Sequence, residues 1–211
     1  MIKRLFAVTI IAIAVMMLAA CDTTPEAAPD APTRGIWEEN TFVSAYFGLR
    51  FDLAIGWTAM SDGNIASMFR HQDENYEQIP QGSQVTPDMY EKLETLGIID
   101  LSASGGMGTR GVTLRIGRLS DDEAGITATQ FLENMVEEMN LPDTTEVIIS
   151  PNTMRIGTQD WHFASFAYDF RDEVAHNWYF VNVDGRFMRS IIVSHFGDDN
   201  LDETLELFRP Y

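Results

Sequence analysis

Between about residue 145 and residue 196, four strand-like runs follow one another with no helical period between them. Strands joined by short turns pair antiparallel, because a parallel pairing needs a crossover of a dozen residues or more. The runs at 145–156, 159–169, 175–183 and 186–196 are rich in β-branched and aromatic residues, so this third of the chain is predicted to be an antiparallel meander. Asp184-Gly185 is a two-residue hairpin signal. The 159–169 run is apolar on both faces, with Trp161 and Phe163 on one and Phe166 and Tyr168 on the other. That pattern predicts a central strand covered on both sides.

The elements before the meander are shorter. Thr41–Ala45 and Leu49–Ile55 read as a hairpin turning near Phe47-Gly48, with Leu49, Phe51, Leu53 and Ile55 on one face at period two. Ser61 caps a helix over Asp62–Phe69, 71–85 lacks periodicity and reads as a loop, and Thr86-Pro87 starts a second helix that stops at Gly97. Ile98–Ser104 and Gly111–Leu119 read as strands around a glycine-rich turn. Thr127-x-x-Gln130 is a capping box opening a helix with Phe131, Leu132, Met135, Val136 and Met139 on its apolar face. A last helix is expected from Asp198 or Asp199, burying Leu201, Leu205 and Phe208. Helices are not interleaved with strands as βαβ units, so the expected class is α+β, an antiparallel β-sheet flanked by helices, in one domain over residues 40–211.

The first 21 residues carry an address. Lys3 and Arg4 precede an uncharged stretch, Leu5 to Ala20, that is slightly short for a span and ends in small residues, as a secretory signal does. Leu18-Ala19-Ala20-Cys21 resembles the bacterial lipobox and contains the only cysteine. The resemblance implies a signal peptide over residues 1–20, cleavage between Ala20 and Cys21, and diacylglyceryl and palmitate-type acyl chains on Cys21. Membrane lipid is thus the expected partner, because each buried CH₂ contributes about 0.8 kcal/mol. Asp22 resembles the signal that retains Gram-negative lipoproteins at the inner membrane, so the expected location is the extracytoplasmic face of the cytoplasmic membrane. Residues 22–33 hold three prolines and no large apolar side chain, so 21–39 is expected to be the lipidated Cys and a disordered, extended tether.

Tyr46-Phe47-Gly48-Leu49-Arg50-Phe51-Asp52-Leu53-x-x-Gly56-Trp57 resembles the opening hairpin of PsbP-like domains, with Ala54 where that pattern prefers Pro. The later order is similar too, through a helix, Val/Ile-rich strands around a Gly, and a final helix ending in an aromatic, here Phe208. The resemblance implies a PsbP-like α-β-α sandwich over about 40–211. It implies no activity, since such domains serve mostly as assembly or binding modules. Lipobox, acidic tether and such a domain together also resemble lipoproteins of Firmicutes-type bacteria.

Charge and motifs narrow the chemistry. Asp and Glu number 32 against 14 Lys and Arg, for a net charge of −18. Removing residues 1–20 takes away two basic residues and no acid, leaving 12 against 32, or −20. Nucleic acid is excluded as a general partner, since phosphate neutralisation needs clustered Lys and Arg. Gly106-x-Gly108-x-x-Gly111 matches a dinucleotide fingerprint but is followed by a strand pattern, not the helix a pyrophosphate requires, and reads as a hairpin turn. Asp198-x-Asn200-x-Asp202 starts like a calcium loop, but Glu203 stands where Gly and Arg209 where Glu should be. No G-x-S-x-G or H-E-x-x-H motif occurs. His71 carries no pattern and His162 reads as a structural histidine. If Asp184-Gly185 forms the turn, Val183 faces Arg186, His176 faces Val193, and His195 is the diagonal neighbour of His176 on the same face. His176 and His195 are therefore the candidate metal ligands, with Glu173 or Asp172 nearby and no third ligand fixed by spacing.

The expected function is a membrane-anchored extracytoplasmic lipoprotein that is not an enzyme. It would be a binding or assembly module with an envelope protein as partner and no cofactor. The alternative is a lipoprotein binding a small solute or metal cation. A third reading is a surface hydrolase working through two carboxylates.

Overall fold

The computed structural model describes residues 31–74, 76–139, 141–170, 172–197 and 200–211. The signal stretch, Ala20 and Cys21 lie outside the described residues. Among the described residues no helix is long and apolar enough to cross a membrane.

Among the described residues, two antiparallel sheets and four α-helices make the fold α+β. The elements are β1 (Ile36–Glu38), β2 (Thr41–Ser44), β3 (Leu49–Asp52), β4 (Thr58–Ala59), α1 (Asp62–Phe69), α2 (Tyr90–Thr95), β5 (Ile98–Gly105), β6 (Arg110–Arg118), α3 (Ala128–Glu138), β7 (Glu146–Ile156), β8 (Gln159–Phe170), β9 (Glu173–Asp184), β10 (Phe187–Phe196), α4 (Leu201–Leu205) and β11 (Phe208–Pro210). The large sheet runs β4-β5-β6-β10-β9-β8-β7, and the small one β1-β2-β3-β11.

Helix starts follow local chemistry. The Asn64 N–H donates to the Ser61 hydroxyl (3.3 Å), and Thr127 and Gln130 close the capping box of α3. One face of the large sheet, carrying Leu114, Phe180 and Ile191, packs on Phe42, Phe47, Leu49, Phe51 and Phe208 of the small sheet and its turns. The other face presents Ala164, Phe166 and Val181 to Ala128 and Leu132 of α3. The small sheet thus shares with short helices the covering of a face for which helices alone were expected. β8 is apolar on both faces because both are covered, although it lies beside the edge strand β7 rather than at the centre.

Several expectations are corrected. The compact unit begins at Pro32, not at residue 40. Residues 32–39 belong to it because Val85 donates to the Pro32 carbonyl (2.7 Å), Arg34 is buried and Ile36–Glu38 pair with β2. β3 stops at Asp52 because the chain turns at Gly56 (φ 85°), which leaves Ile55 wholly exposed. The last helix is only Leu201–Leu205, and Phe208 opens β11 opposite Phe51 instead of extending a helical stripe.

Candidate functional site

The hairpin between β9 and β10 decides the fate of the two histidines. Phe187 pairs with Asp184, so the two turn residues are Gly185 and Arg186, with Gly185 at φ 60°. Glycine at the first central position belongs to a type II′ turn, whereas the sequence reading placed it second. The shift sets His195 directly opposite His176 rather than diagonal to it. His195 is buried, and the Asn200 N–H donates to its Nδ1 (2.9 Å). Its Nε2 therefore carries the proton and donates to the Thr204 hydroxyl (2.9 Å). Both ring nitrogens hold α4 to the sheet, which leaves His195 no lone pair for a metal. His176 stacks on Trp178 (5.8 Å between ring centres, 15° between planes). Among the described residues no three His, Cys, Asp or Glu side chains converge as a metal site.

The other motifs resolve into local structure. Gly106–Gly108 is a tight turn between β5 and β6, with Met107 at its tip in the left-handed region (φ 58°). His162 Nδ1 lies 3.2 Å from the Thr129 hydroxyl of α3. Asp202 and Glu203 lie in the first turn of α4, and Asp198 lies outside the described residues.

The densest polar construction in the core was not visible in the sequence. Arg34, 2% exposed, precedes β1, and its guanidinium meets two elements and the loop that holds Ile79. It donates to Asp62 of α1 (Nη1 3.2 Å, Nη2 3.0 Å), to the Asp100 carbonyl of β5 (3.0 Å) and to the Ile79 carbonyl. The Asp100 carboxylate, also 2% exposed, accepts from the Gly35 N–H (2.9 Å) and the Ser44 hydroxyl (3.2 Å), with Arg34 Nε 3.5 Å away. Burial pushes the Asp100 carboxyl up to about 6, against the opposing pull of the Gly35 N–H, Arg34 and Ser44. A β-bulge between Ile99 and Leu101 turns this side chain toward the small sheet. The lock fixes β1 and the β2–β3 turn to β5.

On the outer side of the small sheet, above this lock, lies a trough of about 330 Å³. Val43 and Ala45 form its floor, Ile36 and Glu38 one wall, Arg50 and Tyr211 the other. Tyr46 closes one end. It is positioned by Arg189, which donates to the Tyr46 carbonyl (2.7 Å) and lies 5.1 Å from its ring centre. Alternation in Leu49-Arg50-Phe51 marks Arg50 as outward-facing, and that was the one signal of the trough in the sequence. A trough with an acid on one wall and a base on the other is suited to holding a polar ligand; it presents no nucleophile paired with a base.

No family model matches the chain, and no curated protein matches it. Among solved structures, the solution structure of cyanobacterial PsbP (CyanoP) from Synechocystis sp. PCC 6803 is similar with a TM-score of 0.39 and 12% identity, over 90% of this chain and 99% of that one. A crystal structure from Bacteroides thetaiotaomicron VPI-5482 is similar with a TM-score of 0.41 and 8% identity, over 85% of this chain and 48% of that one. The chain thus spans about half the length of the Bacteroides protein.

Proposed function

We propose that this chain is a lipoprotein held at the extracytoplasmic face of the cytoplasmic membrane, and that its folded unit is a non-enzymatic binding or assembly module. The observation that carries the reading is Leu18-Ala19-Ala20-Cys21 at the end of an uncharged stretch behind Lys3-Arg4. Acylation of Cys21 supplies the attachment that the charge opposes, since a chain of net −20 from Cys21 onward is repelled by anionic lipid. With the compact unit beginning at Pro32, ten residues lie between it and Cys21, and an extended tether over those eleven steps would reach about 34 Å at about 3.1 Å per residue. The trough favours a small polar solute over a bare metal ion as the bound species, because Arg50 opposes a cation there and His195 has no free nitrogen. An envelope protein remains the partner proposed for the assembly role.

The test is metabolic labelling of the full chain with palmitate in a bacterial host, beside Cys21→Ser. The wild-type chain takes up label, fractionates with the membrane and has Cys21 as its first residue. Cys21→Ser takes up none and is not cut before residue 21. Equal labelling of both chains, or of neither, overturns the anchor.

A further inference from the structure

Two charges of opposite sign face the trough without meeting. Ile36 pairs with Val43 and Val43 with Arg50, while Glu38 pairs with Thr41 and Thr41 with Asp52. Glu38 is thus two strands across and two residues along from Arg50, about 12 Å between Cα atoms. Among the described residues neither side chain forms an ion pair. Arg50 is also set directly opposite Arg209 of β11, and like charges opposed across a strand pair cost stability. Arg209 is answered by Asp52 at 2.5 Å, while the other Asp52 oxygen accepts from the Thr41 hydroxyl (2.9 Å). Arg50 is left without an acid in a chain that carries 32 of them.

The strand segment between the two charges is held from the core side. Gly35 lies under the floor on the core side, where a Cβ would come within 2.4 Å of the Phe42 ring and 2.6 Å of the Val43 carbonyl. Its N–H is tied down by Asp100 beneath. The floor is therefore fixed from below: Val43 and Ala45 lie between the walls that carry Glu38 and Arg50, and Thr33 and the Asp62-paired Arg34 also line the trough. A lone anion at Arg50 meets Glu38 and the net charge of the unit. A lone cation at Glu38 meets Arg50. A ligand carrying both charges satisfies both walls.

We propose that the trough binds a small zwitterion, its phosphate or carboxylate held by Arg50 and its ammonium group by Glu38. Free phosphoethanolamine and the headgroup of an ethanolamine phospholipid share this chemistry. The assignment rests on the binding-module reading but not on acylation of Cys21, so a chain that fails to take up palmitate can still bind the ligand.

The test is calorimetric titration of the purified full chain in detergent at low salt. The probes are phosphoethanolamine, inorganic phosphate, ethanolamine, and an ethanolamine phospholipid dispersed in the same detergent. Phosphoethanolamine is expected to bind at least tenfold tighter than phosphate or ethanolamine alone. Glu38→Gln and Arg50→Gln should each weaken it about tenfold or more, the loss of one charge-assisted contact. Arg155→Gln, on the β7–β8 hairpin, should bind as wild type. Tighter binding of the phospholipid than of phosphoethanolamine identifies a membrane headgroup as the source, and equal binding a soluble solute. Phosphate binding as well as phosphoethanolamine, or Glu38→Gln and Arg50→Gln behaving as Arg155→Gln, overturns the zwitterion site while leaving a simple anion-binding module standing. No heat with any probe removes the small-solute reading itself.

Discussion

Asp100 is buried with a carboxyl raised from an ordinary 3.8 to about 6, so the folded chain binds a proton there more tightly than the unfolded chain does. Stability from this group is therefore greatest below about pH 4 and declines as the pH rises toward 6, where the folded state must hold a buried charge. About two pH units at 1.36 kcal/mol each makes the decline about 3 kcal/mol between pH 4 and pH 7. Asp100→Asn keeps a carbonyl oxygen for the Gly35 N–H and cannot ionise, so it removes the slope. The assay is urea unfolding followed by tryptophan fluorescence at half-unit steps from pH 4 to pH 7.5, for wild type and variant. Every other carboxylate titrates in both proteins, so the difference between the two curves isolates Asp100. The expected result is a relative gain by the variant of about 2–3 kcal/mol from the acid to the neutral end. Curves that stay parallel to within about 0.5 kcal/mol would refute the reasoning, and would mean that Arg34 and the two hydrogen-bond donors fully offset the burial of the carboxylate.

Two further substitutions probe other parts of the fold. Gly157→Ala should destabilise by about 2 kcal/mol or more in chemical denaturation, because Gly157 sits at φ 62° and a Cβ there would stand 2.5 Å from the Gly48 carbonyl. His195→Ala should cost about 2–3 kcal/mol through a cavity and two lost hydrogen bonds to the α4 region, and metal analysis of the wild-type protein should find no zinc or nickel retained at His195.

Where local chemistry decides an element, the sequence was a sufficient guide. Ser61 and the Thr127–Gln130 box start α1 and α3 where the caps predict, and the meander strands fall within a residue or two of their expected bounds. The β9–β10 turn shows the limit. Asp184-Gly185 and Gly185-Arg186 are both acceptable turn pairs, and the choice between them moves every cross-strand partner by two residues. Strands β1, β4 and β11, of two or three residues each, are too short for a period and exist because distant partners accept them. Arg34 follows a proline-rich acidic stretch that reads as tether. Only the assembled fold shows that Asp62, Ile79 and Asp100 converge on it. Glu38 and Arg50 escaped notice for the same reason, since their relation runs through β2 and appears only once three strands are in register.

The pairing of β11 with β3 sets an order of events during synthesis. Phe51 is fully buried, and part of its cover is the Phe208 ring, 5.2 Å away between centres. A chain made from its N-terminus can form the β2–β3 hairpin early, but the free side of β3 stays open until residues 208–210 arrive. Closing so long a loop is slow, and an open strand edge beside an uncovered aromatic is a template for pairing with another molecule. A nascent chain of this protein therefore passes through a long interval of stickiness in which a holding chaperone has most to do. Loss of only the Phe208–Pro210 segment would make that interval permanent.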